Sequence, residues 1–174
     1  SVIAAMENRD VAVVDVPGAF MQVDMDEIVH VRFTGTMVDL LLEIDRDLYE
    51  PYIVIEKGER AMYVELLKAL YGTVRAARLF WEKVSALLKQ WDFIMNPYDQ
   101  CVANKIVNGA QLTVSRHVDD LKIDHVDSTV VDKFIEQLDG EFGREAPLNV
   151  SRGKELEYLG MKLDFSIPGQ VTIT

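Results

Sequence analysis

The sequence predicts an α+β fold built mostly on antiparallel sheet. Three observations carry this. Tight-turn dipeptides separate short runs of strand formers, above all Asn108-Gly109. Two long segments repeat apolar residues at steps of three and four, the mark of amphipathic helices. Strands follow one another through hairpins, without the regular crossover helices of a parallel sheet.

The elements follow in chain order. Val11-Ala12-Val13-Val14 is a short apolar run closed by Asp15 and Pro17-Gly18, a buried strand entering a loop. Residues 28–33 alternate as a half-buried strand, and residues 36–50 carry no decisive pattern. Pro51 and Lys57-Gly58 break the chain before a strand over Met62–Leu66. Residues 73–91 predict a helix capped by Thr73, with Val74, Ala77, Trp81, Val84, Leu88 and Trp91 on its inner stripe. Arg75, Arg78, Glu82 and Lys89 fall on another face. Pro97 bars a helix across the next stretch. Residues 100–107 and 111–118 form a hairpin at Asn108-Gly109, and residues 112–118 pair again with 121–126 around a bend at Asp119-Asp120. Residues 128–142 predict a second helix, capped by Ser128 and ended by Gly143, with Val131, Ile135, Leu138 and Phe142 inward. Residues 156–165 and 170–174 close the chain as a hairpin around Pro168-Gly169.

At 174 residues and 49% apolar content, the chain suits one ordered domain with one sizeable core. It starts at Ser1 and stops at Thr174, so it reads as a fragment or a processed product. One cysteine, Cys101, allows neither an internal disulfide nor a thiolate zinc cage, and points to a reducing compartment. No apolar run is long enough for a membrane span, and no signal peptide opens the chain. The net charge of −11 argues against a nucleic-acid binder that works through a basic surface alone. The charge is uneven: −9 over 1–59, +4 over 60–116 and −6 over 117–174. Either this is ordinary surface variation, or the acids hold cations while the middle faces an anion.

The acids at strand ends are the chemically telling residues. Asp15 closes an apolar strand, and Asp119 and Asp120 stand side by side between His117-Val118 and Leu121-Lys122-Ile123. A half-buried acid is costly unless paired, hydrogen-bonded or bound to metal, and adjacent acids repel. An Asp-Asp pair can serve simply as a turn former. If the strand of Asp15 lies beside that hairpin, three carboxylates converge, and their hard oxygens suit magnesium or manganese.

Asp15-Val-Pro-Gly-Ala-Phe20 resembles the first acidic motif of reverse transcriptases, and His117-Val-Asp-Asp120 resembles their second. Leu70-Tyr71-Gly72, Arg75-Ala76-Ala77-Arg78 and Phe80-Trp81 resemble a block specific to copia-type retrotransposon polymerases. Tyr158-Leu159-Gly160-Met161 resembles the later hairpin of that group. The blocks stand in family order from Val11 to Phe165.

The resemblance implies a polymerase palm, a ferredoxin-like and mostly antiparallel sheet with helices on one face, plus part of the fingers. It makes 1–174 one palm-centred domain, with a partial fingers excursion at 21–64 and a primer-grip-like hairpin at 156–174. Upstream fingers and downstream thumb, connection and ribonuclease H regions are expected outside the chain. The implied activity is RNA-directed DNA synthesis, transferring a nucleotidyl group from a deoxynucleotide to a primer 3′-hydroxyl. Asp15, Asp119 and Asp120 become the catalytic acids. By the same resemblance, Asp15 and Asp119, with the Val16 carbonyl, would hold two Mg²⁺ or Mn²⁺ ions, and Asp120 would assist. Phe20 takes the sugar-gate position, although without the motif it reads as a core aromatic. Gly72, Arg75, Arg78 and His117 are assigned to template and nucleotide, and Leu159, Gly160 and Met161 to the primer. The arginines can also be read as a solvated helix face. His117 stands where the family has Tyr, Val74-Arg75 replace Lys-Gln, and Ala77 replaces Pro.

The implied partners are an RNA or DNA template-primer, deoxynucleotides and the remaining Pol polyprotein regions (fingers, thumb, ribonuclease H, integrase), with no membrane. The implied location is cytoplasmic, in a virus-like particle, with a nuclear stage. With its basic surfaces elsewhere, the fragment is expected to bind duplex weakly and to have little activity alone. Two other readings compete: a palm-like nucleotidyl cyclase, and a truncated palm that serves only as a structural or interaction module.

Overall fold

Turn chemistry and side-chain alternation organise the computed structural model, which describes residues 1–174. The chain opens with a short helix α1 (Val2–Met6) and strand β1 (Asp10–Asp15), followed by a 3₁₀ turn (Ala19–Gln22). Then come β2 (His30–Thr34), α2 (Thr36–Ile44), α3 (Arg46–Tyr49), β3 (Ile53–Glu56) and β4 (Glu59–Glu65). Helix α4 (Val74–Gln90) leads to β5 (Ile94–Met95), β6 (Val102–Val107), β7 (Ala110–His117) and β8 (Asp120–His125). Helix α5 (Ser128–Phe142), β9 (Asn149–Arg152), β10 (Glu155–Tyr158), β11 (Met161–Asp164) and β12 (Thr172–Ile173) complete it. The fold is α+β, and every strand pairing is antiparallel.

The main sheet has six strands in the order β5-β6-β7-β8-β1-β9. Its central part, β7-β8-β1-β9 with α4 and α5 as connections, is the ferredoxin-like arrangement. Alternation sends Ala12 and Val14 of β1 to the face that also carries Leu112, Val114, Leu121 and Ile123. Helices α4 and α5 cover that face with Phe80, Val84, Leu88, Val131, Phe134 and Leu138, in one core of 22 buried residues. Val11 and Val13 point the other way, into a second cluster with Ala4, Ala5, Leu156, Leu163 and Phe165. Strand β1 is thus buried on both faces, which is why its sequence is continuously apolar. The two long helices share one face, while α1 and the small β10-β11-β12 sheet cover part of the other.

Residues between β1 and α4 build a separate three-stranded sheet, β2-β4-β3, with its own small core of Val38, Leu42 and Met62. The undecided stretch 36–50 is helical: α2 buries Val38 and Leu42, and Asp45 caps α3 through Leu48 N–H. Lys57-Gly58 is a hairpin turn between β3 and β4 rather than a simple break. Both residues have positive φ, and Glu56 pairs with Glu59.

Several expectations shift by a residue or a face. Helix α4 begins after Thr73, whose hydroxyl accepts from Ala76 N–H as expected of an N-cap. Its buried stripe, however, is Ala76, Phe80, Val84 and Leu88; Val74 is 91% exposed and Trp81 half-buried. Steps of three and four define two adjoining stripes, and the sheet takes the one bearing Phe80. Asp127, not Ser128, caps α5 through Thr129 N–H. The last expected strand, 156–165, is itself a hairpin that turns at Leu159-Gly160. Strand β12 adds to its β11 edge.

Candidate active site

Asp15 ends β1 because Pro17 and Gly18, the latter at φ 63°, turn the chain away after Val16. On one side Asp15 is the register partner of Asp120, the first residue of β8. Asp119 occupies the β7–β8 turn, and its carbonyl accepts from Val16 N–H at 3.3 Å. The two motifs, about a hundred residues apart in sequence, therefore meet at one corner of the sheet.

The turn is centred on Val118-Asp119, because His117 pairs with Asp120; the expected bend at Asp119-Asp120 moves back by one residue. Val118 takes φ 56°, a left-handed conformation that a β-branched residue rarely adopts. Such strain costs about 1–3 kcal/mol and is kept where the surroundings dictate it.

Each carboxylate has a different environment. Asp15 Oδ2 accepts from Asn149 Nδ2 at 2.8 Å, across the β1–β9 pair. Asp119 Oδ2 accepts from the Tyr71 hydroxyl at 3.4 Å. Burial first, then Asp119 and Asp15, push the Asp120 carboxyl above the usual range, and His117 opposes this. Burial and the charge of Asp119 likewise raise the Tyr71 phenol. None of the three acids forms an ion pair with Lys or Arg.

The other expected site residues divide into two groups. Leu159 and Gly160 line a cavity of about 280 Å³ together with Asp15, Asp120, Asn149 and Tyr158, whereas Met161 lies outside it. Burial, then Asp120, Cys101 and Asp99, push the Tyr158 phenol up to about 12. Phe20 is 5% exposed and sits under the half-exposed Tyr71, with ring centroids 4.3 Å apart. It is a core aromatic in contact with the corner through Tyr71. Gly72 holds φ 91°, open to glycine but strained for other residues, just before α4. Arg75 is held by Asp26 and Arg78 by Glu82, so both cations already have anionic partners. Val16 offers its carbonyl to Ala19 N–H at 3.2 Å, and His117 is exposed.

The family model described as reverse transcriptase (RNA-dependent DNA polymerase) matches residues 1–166. The chain belongs to the reverse transcriptase family. No curated protein matches it. It is similar to a foamy viral protease-reverse transcriptase solved with an RNA/DNA hybrid, at 15% identity and TM-score 0.46. It is also similar to telomerase from Candida albicans, solved with a fragment of telomeric RNA, at 11% identity and TM-score 0.46. Each alignment covers 90% of this chain, but only 16% of the foamy viral chain and 30% of the telomerase chain.

The reverse transcriptase corner suits hard divalent cations in its donor chemistry. The three carboxylates stand at one corner with no Lys or Arg paired to them, and carboxylate oxygens are the donor type that Mg²⁺ and Mn²⁺ prefer. The side chains do not close into a cage: no three His, Cys, Asp or Glu groups gather tightly enough to hold an ion together. The convergence expected from the sequence is thus one of backbones. Like charges repel, and two of the acids are engaged by hydrogen-bond donors, Asp15 by Asn149 and Asp119 by Tyr71.

Asn149, Tyr158 and Tyr71 were missed as site residues. Tyr71 lies inside the recognised Leu-Tyr-Gly block and Tyr158 opens the later hairpin motif, so both carried a local signal. Asn149 carried none.

Proposed function

We propose that this chain is the palm-centred part of a copia-type retrotransposon polymerase, joining deoxynucleotides to a primer 3′-hydroxyl on an RNA template. The observation that carries this reading is the pairing of Asp15 with Asp120, beside Asp119, with no Lys or Arg ion-paired to any of the three. Asp15, Asp119 and the Val16 carbonyl would hold two Mg²⁺ or Mn²⁺ ions, with Asp120 assisting. Bound there, the ions would activate the attacking oxygen and neutralise charge on the leaving phosphate. The protein's part is placement. Leu159 and Gly160 border the cavity beside the acids, where the primer end would lie under this reading. Tyr71 covers Phe20 and offers its half-exposed ring to a nucleotide sugar, so Phe20 would act on that sugar through Tyr71.

The partners under this reading are template-primer, deoxynucleotide and the other Pol regions, and the location is a cytoplasmic particle with a nuclear stage. No helix is long and apolar enough to cross a membrane. The test is primer extension on RNA with this chain joined to its neighbouring Pol regions, against Asp119→Asn. We expect extension by the parent and its loss in the variant. Equal extension by both would refute the assignment. Formation of a cyclic product from ribonucleotide alone would favour a nucleotidyl cyclase instead.

A further inference from the structure

We infer that Asn149 is a positioning residue that sets Asp15 for divalent-cation binding; this rests on the reading of the acids as a metal site. Asp15 is flanked on both sides by register partners, Asp120 on β8 and Asn149 on β9. The first is a like charge and the second a neutral donor. Directly opposed like charges destabilise a strand pair and drive side chains apart. The Asn149 amide takes Oδ2 of Asp15 at 2.8 Å, and Oδ1 keeps no protein donor. One oxygen is thereby anchored and the other left for a ligand, while the rotamer of Asp15 is restricted.

The chemistry of the anchor matters. A Lys or Arg at this place would neutralise Asp15 and compete with a cation. An amide orients the carboxylate and leaves its charge intact, the usual task of a hydrogen-bonding partner behind a metal ligand. Asn149 lies on a β9 strand that is exposed along its length, and its side chain supports no part of the buried core. Folding does not account for the contact.

Mn²⁺ binding to the 174-residue chain, followed by the loss of the free-ion paramagnetic resonance signal, tests this with no need for activity. Asn149→Leu keeps the approximate volume without the donor. It should weaken Mn²⁺ binding by about 10–100-fold, with an unchanged unfolding temperature in chelator. Asn149→Gln, which keeps an amide, should recover part of the loss. Asp15→Asn should abolish the tight site. If Asp15→Asn loses the site but Asn149→Leu binds as tightly as the parent, the inference about Asn149 is overturned and the metal reading stands. Equal weakening by Leu and Gln also overturns it, because the donor is then irrelevant. If the parent binds no Mn²⁺, or Asp15→Asn binds as well as the parent, both readings fall.

Discussion

Removing the carboxylate of Asp124 should destabilise the domain more than any change at the half-buried acidic corner. Asp124 lies on β8, on the sheet face away from α4 and α5. It accepts from Arg9 Nη1 at 2.8 Å and from Lys122 Nζ at 2.7 Å. All three side chains are at most 5% exposed. Arg9 also reaches Thr113 and Glu7, so it keeps an anion when Asp124 is cut back, whereas Lys122 loses its only ion partner. Breaking a buried pair typically costs about 3–5 kcal/mol, and the remaining Glu7 contact puts Asp124→Ala near the lower end, at about 3 kcal/mol. With an m-value of about 2 kcal/mol/M, the urea midpoint should fall by about 1.5 M. The thermal midpoint should fall by about 6–12 °C, at about 2–4 °C per kcal/mol for a domain of this size. Lys122→Met combined with Asp124→Leu should recover most of the loss, since apolar replacements of a buried pair are often neutral. A loss below about 1 kcal/mol in Asp124→Ala, or no recovery in the double variant, would show that water reaches these charges and that the reasoning is wrong.

Asp120 yields a pH prediction with a definite sign. Its folded-state carboxyl titrates above the unfolded one, so stability falls as pH rises from the ordinary carboxylate range through the raised value, and the deficit persists above it. In chelator, Asp120→Asn should therefore raise the unfolding midpoint at pH 7 and change nothing at about pH 2, where both carboxyl forms are neutral; equal midpoints at pH 7 would refute the burial argument. Val118→Asn should stabilise the chain by about 1 kcal/mol in urea titration, because Asn accepts the left-handed turn position that strains valine. A destabilised variant would show that the turn is not strained. Asp26→Asn frees Arg75 from its partner and should strengthen binding of a primer-template duplex at low salt, while Arg75→Gln should weaken it. Neither change should move the unfolding midpoint appreciably, as for exposed pairs. Opposite shifts in duplex affinity would exclude Arg75 from the nucleic-acid surface.

Much of the fold was legible because local chemistry and tertiary structure agree. Asn108-Gly109 makes the predicted hairpin, with both residues at positive φ and Val107 paired with Ala110. The helices at α4 and α5 lie within a residue of their predicted limits, since Thr73 and the run to Phe142 signal start and end locally. The excursion between β1 and α4 was harder to read. Its core holds only Val38, Leu42 and Met62, so few positions there are forced to be apolar. His125, which no sequence motif marks, is structural: it is fully buried, accepting from Asp127 N–H through Nδ1 and lying 3.2 Å from the Val107 carbonyl through Nε2.

The candidate site divides along the same line. The sequence alone singled out Asp15, Asp119 and Asp120, because they stand at or beside the ends of apolar strands inside motifs that read as short contiguous words. Only the tertiary structure decided who surrounds them. Strand register set Asn149 against Asp15 across 134 residues, and the packing of the turn before α4 and of α4 itself placed Tyr71 between Phe20 and Asp119 and tied Arg75 to Asp26. Such partners are chosen by segments distant in sequence; for Asn149 the physical reason is register, since a slip of one residue in β9 would turn its side chain to the opposite face of the sheet.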